Sequence, residues 1–376
     1  MKKYFIFAAA AIVALAACTK SEINTPAQKE ISYNAVTGKN TVSKAIIDHS
    51  YYGPDDPTFG IWGLYQAASW SESHGSSAWV GSSTTSAQIA YKDVAYDHDN
   101  DENETIREWR NNNGIDYWPV TGSLVFMGYS PYTNVSEKAR ISVANNNVVL
   151  TVTNFASSTG NYVDDLMWSD AVEASSNTTA YSATGMDATY NGVPVVFHHA
   201  LSMITVKAKT AIDYAAQGYT FTITGITLHI DDGATLTVTD PVAANTTPTV
   251  EWGEPATDAA PSILTGGTTA LTTTYVQQGS SVLVIPQDLA TKRATLDDKL
   301  SVTYQVVHNG VTSTVSKDIL LTAGADANIT SLAANTKYNL NLLFTLEEIL
   351  YSPSVVDWES TQQTSEYDVP GDAVQS

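Results

Sequence analysis

Alternating apolar and polar residues recur along the chain and predict β-strands. The cleanest alternation places an apolar residue at every second position from Tyr338 to Leu346, and another runs from Leu300 to Val306. Shorter apolar runs at Phe59 to Tyr65 and at Leu124 to Tyr129 also predict strands. Successive side chains of a strand point to opposite faces, so each alternating run offers one apolar face to a core. No long segment has helical periodicity, and the pattern therefore predicts an all-β protein.

Asparagine-rich dipeptides between the apolar runs predict tight turns. Asn309-Gly310 separates two alternating runs and predicts a hairpin, since a type I′ turn needs positive φ at both central residues. Asn145-Asn146-Asn147 predicts a second turn inside the apolar segment from Ile141 to Val152. Both segments therefore predict antiparallel strand pairs.

Two shifts in the alternation predict β-bulges. The apolar positions advance by three residues from Leu201 to Ile204, and again from Ile223 to Ile226. A strand repeats every two residues, so a step of three is most simply one extra residue in a strand.

The length and a polar segment near mid-chain predict two domains. Residues 169–188 are polar and turn-rich, and Asn191-Gly192 follows them closely. The roughly 350 residues that follow the N-terminal region exceed what one core usually fills. We expect two tandem β-sandwiches, at 31–191 and 192–376. Residues 70–88, rich in Ser, Thr and Gly, predict a long surface loop within the first.

The N-terminal residues predict export. Lys2 and Lys3 precede an apolar run from Tyr4 to Ala14, which is too short to span a bilayer. Leu15-Ala16-Ala17-Cys18 then resembles a bacterial lipobox, in which the cysteine is acylated and becomes the mature N-terminus. We expect a signal peptide at 1–17, a lipid on Cys18, a polar tether at 18–30 and no later transmembrane helix.

Composition narrows the function classes. The net charge of −21 argues against nucleic acid, which requires a basic surface, and disfavours anionic lipid headgroups. Cys18 is the sole cysteine, so once it is acylated no disulfide can form. The sequence has no HExxH, GxSxG, GxxxxGK or GxGxxG motif. We expect no enzyme and no cofactor.

The acidic run at residues 97–104 has two interpretations. Asp97, Asp99, Asp101 and Glu108 fall at positions 1, 3, 5 and 12 of an EF-hand-like spacing, but Glu102 replaces the glycine of the sharp turn. A solvated acidic loop is the simpler interpretation, and a loose calcium site is the alternative.

The histidine pair and the tryptophans are further candidates. His198 and His199 point to opposite faces of a strand and cannot jointly bind a metal, so His199 is expected to be a hydrogen-bonded core or interface residue. Trp70 and Trp79 lie at the Ser-rich segment, where exposed indoles could stack on sugar rings. Packing in the core or at a subunit contact is the alternative for both.

Seven segments in order carry a resemblance to a known family. They are Thr41–Ala45, Asp116–Pro119 leading into Leu124–Pro131, Asp164–Trp168, Phe197–Val206, Val284–Gln287, Asn335–Leu340, and Pro353–Trp358. Together with the lipobox, they make the chain similar to the Mfa-like fimbrillins, subunits of the type V pili of Bacteroides-type bacteria. The resemblance implies two tandem transthyretin-like, Greek-key β-sandwiches and a lipoprotein precursor. It places the protein in the outer membrane or the fimbrium, as a stalk, tip or anchor subunit in cell adhesion.

The resemblance also implies donor-strand exchange. A protease removes the first strand, here Ile31 to Val36, and a strand from the C-terminal region of another subunit fills the groove. The cut would fall near Lys44-Ala45, where the family tends to have arginine, so either a lysine-tolerant protease acts or the subunit is never processed. The donor region would be Leu346 to Trp358, with Leu346, Ile349, Val355 and Trp358 as candidate anchors. Expected partners are other fimbrillin subunits, the outer membrane and a surface receptor. The alternative is a monomeric surface lipoprotein that binds glycans through its Trp-rich loops.

Overall fold

A computed structural model describes residues 29–37, 56–75, 77–95, 105–157, 165–176, 192–242, 246–289, 298–322 and 329–358. Within these ranges nearly all regular structure is strand, and the all-β prediction is confirmed. The strands of the first part are β1 (Tyr33–Thr37), β2 (Phe59–Gln66), β3 (Ser77–Val80), β4 (Ala87–Ala95), β5 (Thr105–Asn111), β6 (Ser123–Ser130), β7 (Ala139–Ala144), β8 (Asn147–Phe155), β9 (Met167–Ser169), β10 (Val172–Ala174) and β11 (Val193–His199).

The later strands are β12 (Ser202–Thr210), β13 (Tyr219–Asp232), β14 (Ala234–Asp240), β15 (Thr249–Trp252), β16 (Thr257–Ala259), β17 (Ser262–Thr265), β18 (Val276–Gln277), β19 (Val282–Val284), β20 (Gln287–Asp288), β21 (Lys299–His308), β22 (Val311–Leu320), β23 (Ser331–Leu332), β24 (Thr336–Phe344) and β25 (Ile349–Asp357). A 3-10 turn at Ala215–Gln217 precedes β13. In the part of the chain that the structure describes, no helix is long and apolar enough to cross a bilayer.

Both predicted asparagine turns are present. Asn145 and Asn146 have φ of 50° and 65° between β7 and β8, and Asn309 and Gly310 have φ of 50° and 77° between β21 and β22. Positive φ at both central residues is the requirement of a type I′ turn, so these residues set the register of their hairpins.

One of the two predicted bulges is present, and the prediction of the other is wrong. The register of β13 against β21 shifts between Ile223 and Gly225, as the sequence predicted. Between Leu201 and Ile204 the chain instead changes sheets, because β11 ends at His199 and β12 pairs with β24. The buried Leu201 lies at this crossing, and the change of sheet explains the change of phase.

Seven strands close into a barrel. The order β6-β9-β11-β1-β5-β4-β2 forms part of a nine-stranded sheet, and β2 also pairs with β6, which joins the two sides. The remaining strands, β10 and β3, pair with β6 and β2. Phe59, Phe126, Phe197 and Trp109 fill the interior with other buried residues. Because the ring is closed, each of its seven strands has a paired neighbour on both sides, although the lengths of the pairings differ.

The strands β2 and β6 are buried on both faces. One face lines the barrel, and the other carries Trp62, Leu64, Val125 and Met127 into a second core. A four-stranded sheet of order β15-β14-β8-β7 covers that second core. The continuous apolar run of β6 therefore reflects burial on two sides.

The C-terminal strands form a sandwich. One sheet has the order β18-β12-β24-β25, with β19 also paired to β12, and the other has the order β16-β13-β21-β22. Apolar side chains that alternate along β12, β13, β21 and β24 fill the space between them. In the first sheet β25 is the terminal strand.

Strands from the two sides of residue 191 share sheets. β11 follows that residue and lies in the barrel beside β1, while β14 and β15 extend the sheet of β7 and β8. The division at 191 and 192 stays a prediction, and any such division must separate these paired strands. The expected long loop at 70–88 is corrected, because it contains β3 and the start of β4.

Candidate functional site at the first strand

The first strand of the barrel pairs over different lengths with its two neighbours. β1 pairs in parallel with β11 at five positions, from Tyr33 opposite Val193 to Thr37 opposite Phe197. Its pairing with β5 is one position, Tyr33 opposite Trp109. The pairing of β1 with β5 is therefore much shorter than its pairing with β11.

Contacts before β1 fix where the strand begins. The backbone N–H of Ile31 donates to the carbonyl of Asp116 at 2.8 Å, and the N–H of Trp118 donates to the carbonyl of Lys29 at 3.0 Å. The Glu30 carboxylate forms an ion pair with the guanidinium of Arg110. These contacts determine the register of the strand against the barrel.

Alternate side chains of β1 and the residues before it point into the barrel. Ile31, Tyr33 and Ala35 are each at most 2% exposed and belong to the barrel core. The ring of Tyr33 meets Phe59 and Phe126 edge-on, with centroids 6.2 and 5.7 Å apart. Edge-to-face pairs add to the stabilisation from burial, so Tyr33 is the main anchor.

Among the residues that the structure describes, the buried hydroxyl of Tyr33 has no hydrogen-bond partner. Burial of the hydroxyl raises the pKa of Tyr33 well above its usual value, and the negative charge of the nearby Asp116 carboxylate raises it further. An unpaired buried hydroxyl lowers the stability of the folded state. The ring of Tyr33 is therefore well packed, whereas its hydroxyl is destabilising.

Gly192 lets β11 approach β1 closely. A Cβ at this position would lie 2.8 Å from the carbonyl carbon of Tyr33 and 3.0 Å from the amide nitrogen of Asn34. Both distances are too short for carbon against backbone, so a larger residue would push the two strands apart.

The C-terminal end of β25 is seated against β11. The indole of Trp358 is 4% exposed and stacks on the ring of His199 at 3.8 Å and 11°. The Nδ1 atom of His199 lies 3.2 Å from the buried Asp165 carboxylate, which confirms it as a hydrogen-bonded buried histidine. The backbone N–H of Trp358 donates to the carbonyl of Asn335 at 3.0 Å. The strand β11 thus contacts both β1 and Trp358, the residue that follows β25.

His198 faces the other way, as the strand geometry predicted. Its Nε2 atom lies 3.1 Å from the carboxylate of Asp170, away from the Asp165 that contacts His199. Among the described residues no group of three or more His, Cys, Asp or Glu side chains is placed to hold a metal ion.

The amino-acid sequence of the chain matches a known protein family. The fimbrillin-like family model covers residues 66–358, from the end of β2 to Trp358. The chain belongs to the fimbrillin-like family. This is a family of fimbrial structural proteins, and the match spans most of the chain.

Two solved structures illustrate what this fimbrillin-like chain is similar to. A fimbrial protein from Bacteroides vulgatus is 15% identical, with a TM-score of 0.49, over 88% of this chain and 99% of its own. The tip fimbrial protein Mfa3 from Porphyromonas gingivalis, truncated at its C-terminus, is 9% identical, with a TM-score of 0.36, over 88% and 100%. No curated protein matches the chain in sequence.

The four predicted donor residues have different environments in this fimbrillin-like chain. Leu346 is 50% exposed in the turn after β24, and Val355 is 60% exposed. Ile349 packs half-buried against the sandwich core, whereas Trp358 is buried on His199. Their candidate role in another subunit stays a prediction, since here β25 pairs with its own β24.

The structure separates the two tryptophan candidates. Trp70 is 4% exposed, and its Nε1 donates to the carbonyl of Asn146 at 3.2 Å, so it offers no face for stacking. The prediction of Trp70 as a ligand-stacking residue is therefore corrected. Trp79 is 44% exposed, lies on the ring of Tyr65 at 5.6 Å, and donates its Nε1–H to the carbonyl of Tyr117.

Several predicted residues lie outside the described residues. These are Cys18, Lys44, Ala45, Asp97, Asp99 and Asp101. Of the calcium candidates, Glu108 lies on β5 with its Cα opposite that of Lys92. Sequence reasoning missed Arg110, Asp165 and Gly192, which join distant segments. Asp165 lies within the resemblance segment Asp164–Trp168 and Gly192 within the dipeptide Asn191-Gly192, whereas Arg110 lies in no segment that the sequence marked out.

Proposed function

We propose that this protein is a subunit of a fimbria that assembles when a strand of another subunit replaces β1. The observation that carries the proposal is that β1 is one strand of a closed barrel and pairs with β5 at a single position. Membership of the fimbrillin-like family supports the fimbrial role.

Removal of β1 would leave a groove suited to another strand. The facing backbone edges of β11 and β5 would lose their partner, and the interior around Phe59 and Phe126 would be open. Unpaired edges above apolar pockets bind an added strand through main-chain hydrogen bonds and alternate side chains. The barrel therefore has no free groove while β1 is present, and it can bind a strand of another subunit once β1 leaves.

We also propose the route by which the subunit reaches the surface. The lipobox supports acylation of Cys18, with palmitate as one of the chains, and attachment to the outer membrane before assembly into the fimbrium. Incorporation of radiolabelled palmitate tests this step, and a Cys18→Ser variant is expected to lose the label and the membrane association.

The test of assembly uses the chain from residue 19, with the site of a sequence-specific protease inserted between Lys44 and Ala45. The protein is folded first and then cut, so β1 starts in place. We expect the cut protein to form polymers visible by light scattering and electron microscopy, with loss of the 19–44 fragment. The uncut protein, incubated in parallel, is expected to stay monomeric. A cut protein that remains monomeric after prolonged incubation at high concentration contradicts the proposal.

Sequencing of the N-terminus of the protein isolated from cells separates the roles. A start at acylated Cys18 indicates an anchor, a tip subunit or a protein that does not polymerise. A start at Ala45 indicates a processed stalk subunit, and shows that a protease accepts lysine at this cut.

Glycan binding is a second candidate, supported by the exposure of Trp79. Its ring is held by Tyr65 and by the hydrogen bond to Tyr117, so one face is preorganised for stacking. Loss of binding on an oligosaccharide array in Trp79→Ala, with retention in a Val120→Ala variant of the nearby loop, is the expected result for this candidate.

A further inference from the structure

The last strand of one sheet of the C-terminal sandwich is exposed on both faces. Strand β22 ends the order β16-β13-β21-β22, so among the described strands β21 is its one neighbour. Of its ten residues, Val315 and Ile319 are half-buried and the others are exposed. Val311 shares their face of the sheet and is still 67% exposed. An unpaired edge of this length is a place where another strand can be added.

The turn before β22 determines which of its peptide groups face the open edge. Asn309 and Gly310 form a two-residue turn, so His308 and Val311 are a hydrogen-bonded pair at its base. Hydrogen-bonded and non-hydrogen-bonded pairs alternate along an antiparallel ladder. The peptide groups of the even-numbered residues of β22 therefore point away from β21, towards the open edge.

The residue pattern of β22 is the same in both directions about Val315. On the face that turns towards the core, the order from 311 to 319 is Val, Ser, Val, Lys, Ile. An apolar residue thus lies at the centre and at each end, with a polar residue between. On the other face, Thr314 and Ser316 place a hydroxyl on either side of the centre. A strand with this symmetry matches a second copy of itself in antiparallel pairing.

We propose that β22 pairs with β22 of a second copy of this chain, in antiparallel orientation and centred on Val315. In this register Val315 faces Val315 of the second copy, and Val311 faces Ile319. Thr314 faces Ser316, and apolar and hydroxyl pairs directly opposite each other stabilise antiparallel strands. A shift by two positions in either direction places Val315 opposite Lys317 or Ser313, and larger shifts pair fewer residues.

The charges of β22 permit this pairing. The Asp318 carboxylate is already paired with the Lys299 ammonium at 2.7 Å and accepts a hydrogen bond from the Ser301 hydroxyl at 2.6 Å. A lysine that points into a core blocks edge pairing. Lys317 is exposed, however, so its ammonium stays in solvent opposite Ser313 of the second copy. Repulsion between two copies is therefore small along this edge, although the net charge of the chain is −21.

The contact between two isolated subunits is expected to be weak. One pair of strands buries less than the roughly 1,600 Å² of a standard interface, so dilute uncut protein stays monomeric. Strand β22 lies in neither the barrel nor the sheet of β25, and the contact does not depend on strand exchange. In a fibre the same weak contact repeats along linked subunits and accumulates. Lateral association of fimbriae, which rests on the proposed function, is the consequence.

Cysteine crosslinking tests the register. The chain from residue 19 lacks Cys18, the sole cysteine of the sequence, so an introduced cysteine can bridge only to its counterpart in another copy. Two Val315→Cys residues would face each other with Cα atoms about 4.5 Å apart, which is within the range of a disulfide. Thr312 would face Asp318, so two Thr312→Cys residues would lie about 20 Å apart and provide the matched control.

The uncut protein is oxidised mildly at high concentration. Val315→Cys is expected to form disulfide dimers at least about tenfold faster than Thr312→Cys, because only its thiols meet in the paired state. Val315 is the less exposed of the two, so accessibility alone predicts the opposite order. A mixture of Val311→Cys and Ile319→Cys is expected to give more mixed dimer than either homodimer by mass spectrometry. Equal rates for Val315→Cys and Thr312→Cys, or no excess of the mixed dimer, overturn the inference.

A proline at the open edge tests whether the main chain mediates the contact. Thr314→Pro removes an N–H that points away from β21, so the hairpin keeps its own hydrogen bonds. Added to Val315→Cys, it is expected to lower the crosslinking rate about tenfold at an unchanged melting temperature. Ser316→Pro, at the next outward N–H, takes its place if Thr314→Pro unfolds the sandwich. An unchanged crosslinking rate in the folded proline variant overturns strand pairing as the contact.

Electron microscopy of the cut protein extends the test to fibres. Polymers of the parent are expected to lie side by side, and polymers of Thr314→Pro are expected to lie singly. Single fibres in the parent overturn the lateral role. A cut protein that forms no polymers contradicts the proposed function, whereas the crosslinking of the uncut protein still decides whether β22 pairs with itself.

Discussion

The anchor of β1 gives a prediction that depends directly on the barrel. Replacement of Tyr33 by Ala deletes a ring that is 1% exposed and edge-on to Phe59 and Phe126. Loss of a fully buried aromatic side chain costs about 3–5 kcal/mol, and β1 has few other anchors. Local opening of β1 is then expected to increase by about a hundredfold to a few thousandfold, since every 1.4 kcal/mol is about a factor of ten.

Hydrogen exchange of backbone amides, read by mass spectrometry, measures this opening. Peptides that cover β1 and β11 are expected to lose protection in Tyr33→Ala, because these strands pair with each other. The matched control is Tyr214→Ala, a tyrosine that is 8% exposed in the C-terminal sandwich core. It is expected to weaken the sandwich and leave β1 protected. Equal protection of β1 in the parent and in Tyr33→Ala would refute the assignment of Tyr33 as its anchor.

Four further predictions concern β1, its neighbour β11 and the C-terminal strand β25. Tyr33→Phe removes a hydroxyl without a partner and is expected to raise the free energy of unfolding by about 1 kcal/mol in urea titration; a decrease would show that the hydroxyl has a partner. Because the pKa of Tyr33 is raised, its burial stabilises below about pH 10 and this contribution is lost as pH rises further, so Tyr33→Phe is expected to flatten the alkaline loss of stability. Gly192→Ala is expected to increase amide exchange in β1, since its Cβ would meet the backbone of Tyr33 and Asn34, and unchanged exchange would contradict this crowding. Trp358→Ala is expected to cost about 3–5 kcal/mol locally and to expose β25 to proteolysis while β1 stays protected.

The strands themselves were predictable because their signals are local. Tyr338 to Phe344 alternates with a period of two and forms β24, and Asn309-Gly310 forms the turn between β21 and β22. Period-two alternation and positive φ are properties of a few consecutive residues, so a single sequence carries them. The lipobox-like residues that end at Cys18 are a local pattern of the same kind, and the acylation that they indicate stays a prediction.

The depth of individual side chains was not predictable. Trp70 and Trp79 both lie at the same Ser-rich segment, yet one is buried against Asn146 and Glu173 while the other is exposed. The contacts of Trp70 come from residues 76 and 103 positions away, and the hydrogen-bond partner of Trp79 is Tyr117, 38 positions away. The local sequence carries no information about such distant partners, so it could not separate the two.

The sequence alone determined an acidic, all-β chain whose strands and hairpins can be read from consecutive residues, and it predicted export. The tertiary structure decided that β1 lies between β11 and β5, that pairing of β2 with β6 closes the barrel, and that Trp358 rests on His199. These pairings join residues that are between 57 and 160 positions apart in the chain. Their selection depends on burial of both partners and on loop closure, neither of which leaves a pattern in either segment alone.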